Sequence, residues 1–264
     1  MTPDMLLRRE DHGAVLRLVM TSPGTLNALS RAMIAALSDA FGDIGRAGSV
    51  HAVILAAEGK AFSAGHDLRE IQGARTDADQ GQRAYETLFA ECAAMMQAIR
   101  ALPQPVIAEV QGIATAAGCQ LVASCDMAVA AQGTRFGVNG INIGLFCSTP
   151  MVAVSRAILP KAAFEMLATG EFIDAERARM LGLINRAVPA ERLQDETMAL
   201  ASTVAAKLPA AMRMGKQAFY QQAGLPLDQA YAAAGRTMCD NIMLPDTDEG
   251  LNAFLEKRAP RWPS

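Results

Sequence analysis

The chain has 264 residues, 51 % apolar and 19 % charged, which excludes a disordered protein and supplies ample material for a sizeable core. Its net charge is −3 with an isoelectric point near 5.7, and basic residues form no long run, so a nucleic-acid partner is not expected. No apolar stretch reaches the ~18 residues that a membrane-spanning helix requires, so no membrane association is expected either.

The opening Met1-Thr2-Pro3-Asp4 reads as neither a signal nor a transit peptide, which makes the cytoplasm the expected compartment. Cys92, Cys119, Cys125, Cys147 and Cys239 form no CxxC pair and are odd in number; they read as reduced, mostly buried thiols. His12, His51 and His66 are scattered without zinc-ligand spacing, so no metal is expected.

Ala14 to Met20 is a short apolar run of strand type. Ser30 can cap a helix that carries Met33, Leu37, Phe41 and Ile44 on one face. Ala52 to Ala57 is a second strand, ended by Glu58-Gly59-Lys60. The polar stretch from Gln72 to Gly81 reads as a loop. A helix with Tyr85, Leu88, Phe89, Cys92, Met95, Met96 and Ile99 inward follows, and Pro103 and Pro105 stop it. Val106 to Val110 is a strand, Gly112 turns the chain, and a helix of small residues covers Ala116 to Ser124. Met127 to Ala130 is a strand. Helices are expected over Pro150 to Ile158 and over Ala162 to Thr169, the latter closed by Gly170. Asp174 caps another that Gly182 closes, and Ile184 to Val188 is the last strand. From Glu191 the pattern is helical, punctuated by Pro209, Pro226 and Pro245, with Asp246 and Glu249 spaced as a capping box for a final helix. This predicts an α/β core over residues 1–190 and a helical appendage over 191–264, with no clean sequence repeat.

Four segments carry a resemblance. They are Ala61 to Leu68 (AFSAGHDL), Pro105 to Asp126 (PVIAEVQGIATAAGCQLVASCD), Thr169 to Pro189, and Ala253 to Arg258 (AFLEKR). Together, in order and in register, they resemble the crotonase (enoyl-CoA hydratase/isomerase) superfamily. GHDL, the Ala116 to Asp126 stretch and GLFCSTP (Gly144 to Pro150) are similar to its enoyl-CoA hydratase domain-containing protein 3 subgroup. The resemblance implies a spiral of ββα turns with a C-terminal helical region that builds homotrimers, often paired into hexamers. It also implies a substrate carried as an acyl-CoA thioester, with coenzyme A as part of the substrate and no separate cofactor.

Chemistry at the α-carbon of a thioester makes an enolate, and two fixed backbone N–H donors stabilise the oxyanion. The resemblance places one donor at Ala64 and the other at Ala117, where Ala116-Ala117-Gly118 stands for the family's glycine triplet. The family's two hydratase glutamates fall on Gln120 and Gly140. Glutamine orients a water but takes no proton, and glycine offers nothing, so ordinary hydration is expected to be weak.

Candidates to replace them are His66, which can take or give a proton, and Glu86 or Glu91 on the helix bordering the acyl pocket. Asp67 reads as a cap for the helix that follows it, and Glu109 as a structural residue of its strand. Gly65, Asp67, Gly118, Asn139, Gly140 and Phe146 are expected around the substrate. Phe254 and Lys257, with Arg258, match the motif that walls the pocket and meets CoA phosphates; a solvated helix face explains the basic pair equally well. Met212, Phe219, Tyr231 and Met238 are the apolar residues that trimerisation would cover. Three activities remain open: a lyase or isomerase with altered acid and base, an acyl-CoA binder with impaired catalysis or a regulatory role, and a thioester hydrolase using Cys147 or an activated water.

Overall fold

The computed structural model describes residues 6–262; Met1 to Asp4, read above for a leader, lie outside them. The first strand, β1 (Leu7–His12), is a polar edge that the apolar pattern did not reveal. It pairs antiparallel with β2 (Val15–Met20). A parallel run follows through β3 (Ala52–Ala57), β4 (Val106–Val110), β6 (Met127–Ala131) and β9 (Arg186–Val188). These strands read as continuous apolar runs because both of their faces are covered.

One face meets α1 (Arg31–Arg46), α3 (Gln82–Ala101) and α4 (Ala117–Ser124), packing Leu16, Leu18, Val53, Leu55 and Ala108 among Leu37, Phe41, Met95 and Leu121. The other face, with Val19, Ile54, Ile107 and Val129, is closed by Leu193, Ala201 and Ala205 of α8 (Leu193–Ala205).

A second, smaller sheet joins β5 (Ile113–Thr115), β7 (Arg135–Gly137) and β8 (Ile173–Asp174), and Ser63 adds a bridge to Ala114. Each turn of chain therefore visits the large sheet, then the small one, then a helix: β4, β5 and α4 form one turn, and β6, β7 and α5 (Ser148–Ala157) the next. This is the expected ββα spiral. The expected break near residue 190 falls between β9 and α8. Because α8 closes the sheet, the helices standing further from it are α9 (Pro209–Gln222), α10 (Leu227–Ile242) and α11 (Pro245–Leu255).

Two local expectations are corrected. The segment read as a loop from Gln72 begins inside α2 (Leu68–Ala74), because Asp67 caps that helix by accepting from Arg69 N–H at 2.9 Å. The final helix has no capping box. Pro245 occupies its first turn, and Glu249 instead binds Arg258 at 2.7 Å, which with the Arg261 N–H holds its carboxyl down near about 2. The other caps stand as read: Ser30 accepts from Met33 N–H, and Asp174 from Arg177 N–H ahead of α7 (Ala175–Leu181). Glu109 is structural. It pairs with Arg17 at 2.6 Å, both of them buried in the sheet.

α9 is pinned by Lys216, whose buried ammonium donates to the carbonyls of Ile99 and Gln104 at 2.9 Å and to Asp126 Oδ2 at 2.7 Å. Asp126 also accepts from Tyr220 at 2.7 Å and from Val106 N–H at 2.6 Å. Cutting this node leaves the part-buried Asp126 carboxylate without its cation. Lys216→Ala should cost about 3–5 kcal/mol in urea unfolding monitored by circular dichroism. A loss below 1 kcal/mol would remove the node as the anchor of α9.

Candidate active site

The site is built where two segments meet. From β3 the chain runs through Phe62 and Ser63 to Gly65 and His66; from β5 it enters α4 at Ala116 and Ala117. The two press together at glycines. A Cβ on Gly118 would lie 2.3 Å from Ser63 O. One on Gly65, at φ +87°, would lie 2.9 Å from Ala116 Cβ and 3.1 Å from Ala117 N. Gly65 and Gly118 are thus the positions of closest approach, which only glycine allows. Buried Asn27 holds the first segment from behind: its side-chain amide donates to Glu58 O and Ala61 O, and its backbone carbonyl accepts from Ser63 Oγ at 2.8 Å.

Where are the free donors? Ala64 is corrected as one of them. Its N–H donates to Leu26 O at 3.0 Å, so it is already spent, although Ala64 lines the cavity. The Gly65 N–H turns to Ser63 Oγ at 3.3 Å. The His66 N–H makes no hydrogen bond among the described residues. Ala117 is the first residue of α4, where N–H groups have no intrahelical partner and no side chain caps the turn. Two unpaired donors, His66 and Ala117, therefore face one cavity of about 500 Å³.

That cavity is walled by Leu68, Ile71, Phe89, Ile143, Leu145 and Phe146. Asn139 lines it too, its Oδ1 accepting from Thr115 Oγ1 at 2.6 Å, which leaves its amide N–H2 group for the interior. Among the described residues, no carboxylate lines it. Glu86 bonds Gln82 on the helix surface, and Glu91 pairs with Arg31 at 3.1 Å, so neither intrudes. A smaller cleft of about 300 Å³, lined by Gly24, Thr25, Ala28, Asp67 and Arg69, shares Ala64, His66 and Leu68 with the main cavity.

The titratable side chains in the main cavity are His66 and Cys147. His66 Nδ1 lies 3.3 Å from Leu29 O, an acceptor, so Nδ1 carries the proton and Nε2 the lone pair. Nε2 is buried without a partner, and the ring meets Phe89 edge-on at 5.6 Å. Burial pulls the His66 pKa below its ordinary 6.5, against the opposing Leu29 carbonyl and Glu70, so the ring is neutral at neutral pH. Burial pushes the Cys147 thiol up, which keeps it protonated.

The two positions that lack glutamates differ. Gln120 is buried, but it faces a neighbouring cavity instead of the one at Ala117. Gly140 lines the main cavity within the tight turn Asn139–Ile143. A Cβ there would lie 2.4 Å from Leu145 O and 2.8 Å from Cys147 Sγ. The loop is closed onto the glycine, a constraint invisible in the sequence. Phe254, 81 % exposed, and Lys257 line none of the cavities at this site within one chain.

One residue here is strained. Ala116 precedes α4 at φ +49°, ψ −120°, a conformation natural to glycine. Ala116→Gly should raise unfolding stability by about 1 kcal/mol through relief of that strain, and an unchanged midpoint would show that packing compensates. Gly140→Glu should lower stability by about 1–3 kcal/mol and restore no hydratase activity, because its Cβ collides with backbone. A stable variant that hydrates crotonyl-CoA in the loss of enoyl absorbance would contradict this geometry.

The family model for enoyl-CoA hydratase/isomerase matches residues 10–264. Among curated proteins, the rat mitochondrial enoyl-CoA hydratase domain-containing protein 3 is 42 % identical over 98 % of this chain and 85 % of its own, and a putative enoyl-CoA hydratase of Thermus thermophilus is 32 % identical over 96 % of this chain and 98 % of its own. Among solved structures, an enoyl-CoA hydratase of Mycobacterium smegmatis superposes with a TM-score of 0.93 at 54 % identity, covering 97 % of this chain and 98 % of that one. The human enoyl-CoA hydratase domain-containing protein 3 gives 0.92 at 41 %, covering 97 % and 100 %.

Proposed function

The chain belongs to the enoyl-CoA hydratase/isomerase family, and on that premise we propose that it binds an acyl-CoA thioester with the carbonyl oxygen between the N–H groups of His66 and Ala117. Those two unpaired donors carry the reading. They stabilise an enolate oxyanion, a contribution worth about 10²–10³ in rate per donor. The apolar cavity receives the acyl group, and the cleft lined by Gly24, Thr25 and Arg69 receives the pantetheine side. This fits a role in fatty-acid or acyl-CoA metabolism, in the cytoplasm or another reducing compartment suited to five free thiols.

Ordinary hydration is expected to be weak, since among the described residues no carboxylate lines the cavity to activate water. The chemistry that remains is proton transfer at the α-carbon. His66 Nε2 takes the proton, the C–H electron pair moves into the enolate, and the charge rests on the thioester oxygen. A second reading, an acyl-CoA binder without turnover, is supported by the covered position of Nε2. The hydrolase reading is weakened by a protonated Cys147 whose sulfur meets the Gly140 N–H instead of a base.

Exposed Phe219, Tyr231, Met238 and Phe254 on α9 to α11 support a homotrimer, or a hexamer of paired trimers, that covers them. Analytical ultracentrifugation should give a trimer or hexamer that Tyr231→Asp weakens; a monomer in the unaltered protein would discard this assembly.

Exchange of the α-hydrogens of butyryl-CoA in deuterated water, read by mass spectrometry, separates the first two readings. Exchange is expected in the unaltered protein and lost in His66→Gln, with binding retained because the backbone donor stays. The neutral imidazole is the base, so exchange should hold steady at neutral pH and fall only as pH drops through a pKa below 6.5. Ala117→Pro, which deletes the donor at a position where helices accept proline, should cut exchange about 10²–10³-fold. Binding without exchange in the unaltered protein would favour the binder, and exchange unaffected by Ala117→Pro would sink the donor assignment.

A further inference from the structure

A second cavity, of about 270 Å³, opens between α3, α4 and α5. Gln120 forms part of its wall. That side chain is 4 % exposed, its Oε1 is buried without a partner, and its amide nitrogen makes no hydrogen bond among the described residues either. Arg100 of α3 and Arg156 of α5 stand beside it, and no carboxylate lines the cavity, although the chain as a whole is acidic. Neither guanidinium is ion-paired among the described residues. Arg100 lies over the Tyr220 ring at 4.8 Å, and Arg156 donates only to Val152 O, at 2.8 Å. The chain thus leaves two cations and a buried amide facing a void, with glutamine at 120 supplying no charge to meet them.

The void adjoins the site already described. Gln120 is three residues beyond Ala117 on α4, about 4.5 Å along the helix axis. Thr149, in the first turn of α5, lines both cavities. A group reaching past Thr149 from a thioester held at Ala117 enters a positively charged cavity equipped for bidentate binding.

Resting on the thioester reading above, we propose that this cavity receives a terminal carboxylate of the acyl group, so that the substrates are dicarboxylic acyl thioesters. The two arginines supply charge-assisted hydrogen bonds, and the Gln120 amide N–H2 donates a third. A monocarboxylic chain leaves all three unmet. A glutamate at 120 would add a negative charge to this cavity; glutamine leaves the cavity lining cationic.

The test is calorimetric binding of pairs matched in carbon count: succinyl- against butyryl-CoA, adipyl- against hexanoyl-CoA, and suberyl- against octanoyl-CoA. In the unaltered protein one dicarboxylic member should bind about tenfold or more tightly than its partner. Arg156→Met should erase that preference and leave monocarboxylic binding unchanged, which also shows that the variant is folded; Arg100→Met should do the same. Equal binding within every pair overturns the carboxylate site while the thioester reading stands. So does a preference that survives both substitutions. Binding of neither member overturns the thioester reading and the proposal with it.

Discussion

The close approach of the Ser63 to His66 segment to the start of α4 is the constraint on which the site depends. Gly118 lets the helix settle onto Ser63 O, and Gly65 lets the strand exit pass against Ala117 N. A side chain at either position would push the two segments apart and separate the donors. The geometry also decides which N–H groups remain free. Ala64 donates to Leu26 O and is consumed, whereas His66, two residues on, makes no such bond among the described residues. The left-handed turn at Gly65, φ +87°, breaks the extended chain between the two residues and so assigns the donor, which the motif alone does not.

That approach is held by polar groups buried in an otherwise apolar core. Asn27 satisfies three backbone groups around the segment's start, and Lys216 with Asp126 ties α9 to the ends of α3 and β4. Each group is fully paired, as burial demands. The contrast with the unpaired atoms is informative. His66 Nε2 and Gln120 Oε1 are two of the few buried side-chain atoms without partners, and each belongs to a residue that lines a cavity. Unmet polar groups in a structure that otherwise satisfies them mark the places where a ligand supplies the missing bond.

The large sheet was legible because strands covered on both faces are written as unbroken apolar runs, α1 because its cap and periodicity agree, α3 by its apolar face and α7 by its caps. The edge strand β1 was not legible, since LRREDH has one apolar residue and gains its structure only by pairing with β2. The short strands β5, β7 and β8 are fixed by neighbours, not by their own composition. At the site, motifs located Ala117, Gln120 and Gly140, but which cavity each faces depends on tertiary packing. Arg100 and Arg156 carry no motif at all. A basic residue on a helix reads as solvated until two helices bring it opposite another.

The two replaced glutamates are not equivalent losses. At 120 the backbone could still carry an acid of the same length, and the exchange for glutamine changes charge while keeping shape. At 140 the turn Asn139–Ile143 folds back so that Leu145 O and Cys147 Sγ occupy the space a side chain would need. A glutamate there requires a different loop, and with this loop Phe146 and Leu145 enter the cavity wall. Loss of the acid and reshaping of the acyl pocket are thus one structural change. The apolar wall near the oxyanion donors and the cationic cavity beyond Thr149 then divide the acyl site into a dry reaction zone and a charged end, an arrangement that a water-activating carboxylate between them would disrupt.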